Sequence, residues 1–171
     1  MKKLTLFFAI AMIALTSKTF AQPTQQESTA TASSTATVIT PISLTNDTGI
    51  DFGTIAVDAA AAGTVVIASD GNYSTTGQVS VTANSTPAPA TFTVSGEDTY
   101  AYTTVLPTTD ITLSDEAAAT MILNNISSNA SGKIGGTAET FNVGGTLNVT
   151  AGQAAGTYTN TADLAVTVYY D

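Results

Sequence analysis

The chain has 171 residues, thirteen acids against four bases, and neither cysteine nor histidine. Lacking those two residue types, it has no Ser-His-Asp or Cys-His nucleophile, no ordinary zinc site and no disulfide. Its formal charge of −9 opposes the counterion-release binding that nucleic acids demand.

Lys2 and Lys3 precede an apolar run at 4–15, and Thr19 and Ala21 place small residues at the −3 and −1 positions before Gln22. This predicts a secretory signal peptide over 1–21. Its apolar part is a dozen residues long, against roughly 20 for a membrane-spanning helix. Without cysteine it is not a lipoprotein signal. Once the leader is removed, Lys133 is left alone against thirteen carboxylates, a formal charge of −12. Acidic membrane surfaces are then poor partners as well, and the plain role of the charge is solubility and mutual repulsion at an extracellular surface.

Residues 22–34 are Gln, Thr, Ser and Ala with one Pro and one Glu, and are expected to form a flexible tether. Order is expected from Thr35, with one domain over 35–171, large enough to bury about 70% of the unfolded chain's surface. Val38, Ile42 and Leu44 begin a strand, Pro41 confines it to an edge or a bulge, and Asn46-Asp47-Thr48-Gly49 reads as a turn.

Beyond it the pattern repeats. Apolar alternation rich in Thr, Val, Ile and aromatic residues predicts strands at 52–57, 64–68, 78–82, 90–95, 101–106, 111–113, 120–126, 139–143, 146–149 and 161–170. Polar or glycine-rich turns separate them at 69–72, 95–98 and 135–136. The alanine-rich stretches 58–62 and 116–119 give one helical turn at most. Spacing of about ten residues per strand is that of an antiparallel sandwich or barrel. In the last segment Leu164, Val166, Val168 and Tyr170 share one face. That terminal strand is expected to be core, paired with the Leu147/Val149 strand across the glycine-rich turns between them.

Several strings have plainer explanations than chemistry. Asp51-Phe52-Gly53 spells a kinase metal-binding tripeptide without its companion motifs, and reads better as a strand entry with Phe52 buried. Gly132-Lys133 lacks the rest of a phosphate loop, and Lys133, in an expected loop tip, is a poor partner for a serine nucleophile. Asn46, Asp47 and Asp51 bring oxygens together around Gly49, but without EF-hand spacing a capped turn is the better reading. The scattered carboxylates generate glycosidase-like pairs by chance, and the six Asn-x-Ser/Thr sequences are expected in a chain of this composition. No enzyme, metal or cofactor is therefore expected. Among the tyrosines, Tyr100 and Tyr102 should pack on one strand face, leaving Tyr169 as the surface candidate for sugar or protein contact.

Asp51-Phe52-Gly53-Thr54-Ile55, Pro89-Ala90-Thr91-Phe92-Thr93-Val94-Ser95-Gly96, Val143-Gly144-Gly145-Thr146-Leu147, and Gly156-Thr157-Tyr158 leading into Val166-Thr167-Val168-Tyr169-Tyr170 together resemble the secreted bacterial family called domain of unknown function 4402, over residues 36–171. The same skeleton is similar, more distantly, to spore coat protein U domains and chaperone–usher pilins. The resemblance implies an immunoglobulin-like, pilin-like antiparallel β-sandwich of about 8–10 short strands, used as a non-enzymatic subunit of a cell-surface or fimbria-like assembly.

Its partners would be other copies of itself or related surface subunits, with a periplasmic chaperone and an outer-membrane usher in transit through the periplasm. The implied mechanism is β-strand complementation, in which an extended segment of one subunit completes the sheet of the next. The candidate segment carries Ala30, Ala32, Ala36 and Val38 at alternate positions. Ala36 and Val38 also suit the domain's own first strand. A self-complete secreted adhesion or glycan-binding module is the alternative.

Overall fold

β-branched alternation interrupted by Gly, Asn and Asp folds as strand throughout. The computed structural model describes residues 26–171, so the leader expected at 1–21 lies outside the described residues. Among those described there are eleven strands and no helix. In order they are β1 (Ser43–Thr48), β2 (Ile55–Val57), β3 (Gly63–Ile67), β4 (Tyr73–Gly77), β5 (Val79–Val81), β6 (Ala90–Ser95), β7 (Tyr102–Val105), β8 (Ile111–Ser114), β9 (Thr120–Ser128), β10 (Ala138–Val149) and β11 (Thr167–Tyr170). Every pairing is antiparallel. The fold is an all-β sandwich. Val38–Asp171 forms one compact unit, and residues 26–37 carry no regular secondary structure.

β10 organises the sheet. Its residues 138–143 pair with β6, which continues to β1. Residues 145–149 pair with β3, which continues to β4, while 143–148 pair with β9, which continues to β8. One strand thus serves two halves of the sandwich, as strands that turn a sheet corner do.

The core divides at the same place. Leu147 and Val149 join Phe52, Val65, Ile67, Val79, Ile111, Met121 and Leu123 in one cluster. Phe141 and Val143 join Ala90, Phe92, Val94, Tyr102 and Ile134 in the other. The small sheets β2–β5 and β7–β11 cover them: Ile55, Val57 and Val81 pack on the first cluster, and Val168 and Tyr170 on the second.

Gly144 and Gly145 are where the sequence and the fold part company. A glycine pair between two apolar runs predicts a turn, yet both lie inside β10 and are buried. A Cβ on Gly144 would run into the carbonyl oxygen of Ile67, so the pair marks a close backbone approach to β3. Opposite Gly145, β9 carries a bulge: Asn124 faces Thr146 and Ser127 faces Gly144, leaving Asn125 and Ile126 against one residue. Asn125 takes φ 50° there, a left-handed conformation that Asn tolerates.

The expected partner of the terminal strand is corrected for the same reason. Leu147 has β3 on one edge and β9 on the other, and Val149 continues the β3 ladder, so the terminus pairs elsewhere. β11 pairs instead with β7, Tyr170 opposite Tyr102 and Thr167 opposite Val105. Two further elements escape the apolar pattern. β4 (Tyr73–Gly77) is exposed at every position and is held by its ladder to β3 and by a Thr64–Thr76 hydroxyl contact of 2.8 Å. Asn46-Asp47-Thr48 ends β1 rather than turning, with a register shift that the Asn46 amide spans by donating to the carbonyls of Thr48 (2.9 Å) and Thr91 (3.3 Å).

Candidate assembly surface

The side chains singled out for chemistry have structural roles. Asp51 accepts from the Gly53 amide at 2.7 Å, and Asp47 from the Thr93 hydroxyl at 2.7 Å. Phe52 is buried in the first cluster. Lys133 is exposed, and the Ser131 hydroxyl bonds to its backbone rather than its amine. Among the described residues no three His, Cys, Asp or Glu side chains gather as a metal-binding group.

The tyrosines separate. Tyr102 is 2% exposed, its hydroxyl donating to Glu139 at 2.9 Å, and burial followed by that carboxylate pushes its pKa up. Tyr100 lies at the rim, edge-on to Tyr170 with centroids 5.7 Å apart. Tyr169 is 49% exposed, on the face opposite the half-buried Val168 and Tyr170. Leu164 and Val166 precede β11 and are half-buried as well, so the alternation of Leu164, Val166, Val168 and Tyr170 runs on beyond the strand's hydrogen bonds.

Tyr170 also ties the domain's first residues down. Its hydroxyl accepts from the Glu97 amide at 2.6 Å and donates to the Thr40 carbonyl at 2.8 Å. The Glu97 carboxylate accepts from the Thr40 amide at 2.9 Å, and that amide holds Glu97 below the usual glutamate range. Gly96 leaves room for the ring, since a Cβ there would meet the Tyr170 hydroxyl.

Tyr170→Phe is expected to lower stability by about 1 kcal/mol in urea denaturation. The Glu97 contribution has a defined sign. A carboxylate with a depressed pKa stabilises above its ordinary range and loses that contribution as pH falls through the depressed value. Acid should therefore close the gap between wild type and Glu97→Gln, and a gap that widened as pH fell would contradict the Thr40 contact.

The candidate exchange segment makes no such hydrogen bond among the described residues. Ala30, Ala32 and Ala36 are exposed in chain without regular secondary structure, and Val38 is 94% exposed. Among the described residues the domain in turn leaves strand edges open: β2 pairs there only with β5, β4 only with β3, and β11 only with β7. β8, by contrast, is closed on its outer edge by a Ser114–Thr159 bridge and by the Asn160 amide on the Thr112 carbonyl.

Beside β2 lies a cleft of about 860 Å³. Its lining comes from 50–55 and Val57, from Ser85, from Leu113, Met121 and Leu147 of the large sheet, and from 153–159. The last wall is braced by Gln153, whose amide donates to the Tyr158 hydroxyl at 2.9 Å and to the Thr120 carbonyl at 3.0 Å. This cleft was not legible in the sequence, because its walls lie about a hundred residues apart. The pattern did show its floor residues as apolar strand positions.

The family model described as Domain of unknown function (DUF4402) matches residues 42–170. No curated protein and no solved structure matches the chain.

Proposed function

The chain belongs to the DUF4402 family, and from that premise we propose that it is a non-enzymatic structural subunit of a bacterial surface or fimbria-like assembly, joined by β-strand complementation. The observation that carries the reading is the segment 29–38. Thr29, Thr31, Thr35 and Thr37 alternate there with Ala30, Ala32, Ala36 and Val38, in exposed chain without secondary structure of its own. Alternation of that kind is the period of a strand, and the β-branched threonines favour extended backbone. A strand-patterned segment outside any sheet, together with sheet edges lacking partners, is what strand addition requires.

The leader pattern supports export, in keeping with a subunit that passes through a periplasm to the outer surface. Other copies of the chain or related subunits are the partners. A chaperone and an usher would hold the open edges in transit, because a bare edge invites indiscriminate pairing.

Deleting residues 22–39 while keeping the leader is expected to abolish high-mass species on size exclusion and leave a soluble monomer. An intact chain that elutes as a stable monomer at all concentrations would overturn strand exchange. One observation favours a second reading, a self-complete adhesion or glycan-binding module: Tyr100 and Tyr169 are exposed at one end of the β7–β11 sheet. Loss of glycan retention on Tyr169→Ala, with mass unchanged, is the result expected of that reading.

A further inference from the structure

We infer that the cleft beside β2 is the acceptor slot for segment 29–38 of a second copy of this chain, an inference that rests on the strand-exchange reading. In the β2–β5 ladder, Thr54, Ala56 and Asp58 face Thr82, Ser80 and Gln78, and hydrogen bonds run from Thr82 to Thr54 and from Asp58 to Gln78. Antiparallel alternation therefore turns the N–H and C=O groups of Ile55 and Val57 to the opposite edge, where they have no backbone partner among the described residues. Ile55 and Val57 are the β2 residues that line the cleft. The slot thus offers two donors and two acceptors in strand register over an apolar floor.

The other open edges lack that combination. β4 is exposed at every residue and offers no apolar face. β11 approaches β1 and contributes no residue to the cleft. At the β2 slot the floor residues Met121 and Leu147 are less than a tenth exposed, so inward side chains must lie on the floor rather than sink into it. Alanine suits that depth, and a segment with Ala at alternate positions presents one small-residue face.

Charge selects the same segment. Twelve of the thirteen acids belong to the unit Val38–Asp171, which holds one lysine, so two copies repel each other. Residues 28–46 carry no charge, and Asp51 is the one charged residue lining the cleft. The uncharged stretch is where a second copy can approach at least electrostatic cost. Its own Thr40 is held at Glu97 and Tyr170, beside the second core cluster, whereas the slot opens on the first.

With Ala30, Ala32 and Ala36 turned inward, Thr31, Ser33 and Thr35 share the outward face of the incoming strand, beside the exposed Ala56 of β2. Same-face neighbours on adjacent strands sit close enough for a disulfide. Whole chains carrying Ala56→Cys are mixed with chains carrying Thr31→Cys, Ser33→Cys or Thr35→Cys and oxidised. The chain has no other cysteine, so every covalent dimer reports a contact between copies.

One of the three is expected to couple at least tenfold faster than the other two, and Thr75→Cys and Tyr169→Cys acceptors on β4 and β11 are expected not to couple. Polymers that form while linking through β4 or β11 instead would overturn the slot and leave strand exchange standing. Absence of any polymer in the unsubstituted chain would overturn strand exchange itself. Rapid ring closure within monomers of the Ser33→Cys, Ala56→Cys double variant would show that the slot takes its own chain, and would overturn the second-copy assignment.

Discussion

Gly144→Ala is expected to destabilise the domain by about 3 kcal/mol, at the upper end of what overpacking costs. The added methyl faces backbone, not a side chain that can turn away. It meets the Ile67 carbonyl oxygen, and the carbonyl carbon of Ala68 lies 2.9 Å from it. β3 can make room only by giving up part of its ladder to β10, which holds Val65 and Ile67 against the first core cluster. Gly145 is the internal control. A methyl there meets the Leu123 Cδ1 at 2.8 Å and the Ile126 Cδ1 at 2.9 Å, two flexible ends that can shift. Its alanine variant should cost about 1 kcal/mol. With no tryptophan in the chain, urea midpoints followed by far-ultraviolet circular dichroism are the measurement. Equal midpoints for the two variants would show that the approach of β3 to Gly144 is not the constraint described.

The same glycines show why part of the fold was legible and part was not. Where one face is buried and the other wet, the sequence period carries the answer. β6 (Ala90–Ser95) alternates between buried and half-buried residue by residue, and its bounds follow from that pattern. β4 has no buried face, so Tyr73-Ser74-Thr75-Thr76-Gly77 reads as a continuation of the turn before it.

Gly144 and Gly145 mislead because local propensity reports what glycine permits, whereas the strand uses what glycine lacks, a Cβ. The pairing of β11 with β7 was hidden because alternation names a buried face and not a partner. The candidate surface divides likewise. The Thr/Ala alternation of 29–38 is visible in the chain itself, but the slot beside β2 exists only once 50–57 and 153–159 are brought to the same sheet.

Phe141→Ala should cost about 4 kcal/mol. The ring is 1% exposed and stacks on Phe92 with centroids 5.7 Å apart and planes 16° from parallel, the two residues being direct partners across β6 and β10. Truncation removes both the buried ring and a facing surface that Val94 and Val143 cannot fill without moving strands already fixed in register. Phe92→Ala should cost a similar amount, and a double-mutant cycle should return a coupling of about 1 kcal/mol, because the second truncation removes a stack the first has already broken.

The deeper consequence concerns the two core clusters. Phe141 and Leu147 lie six positions apart on one strand and belong to different clusters. If β10 transmits the loss, Phe141→Ala lowers the stability of both halves, and unfolding stays a single transition with one midpoint by circular dichroism and by amide exchange. Two separated transitions would mean that the clusters fold independently. In that case the half bearing the β2 slot could be studied apart from the half that anchors Thr40. A single transition instead makes β10 the element through which a strand seated on Leu147 would stabilise the whole subunit, since burial added to one cluster is then shared by both.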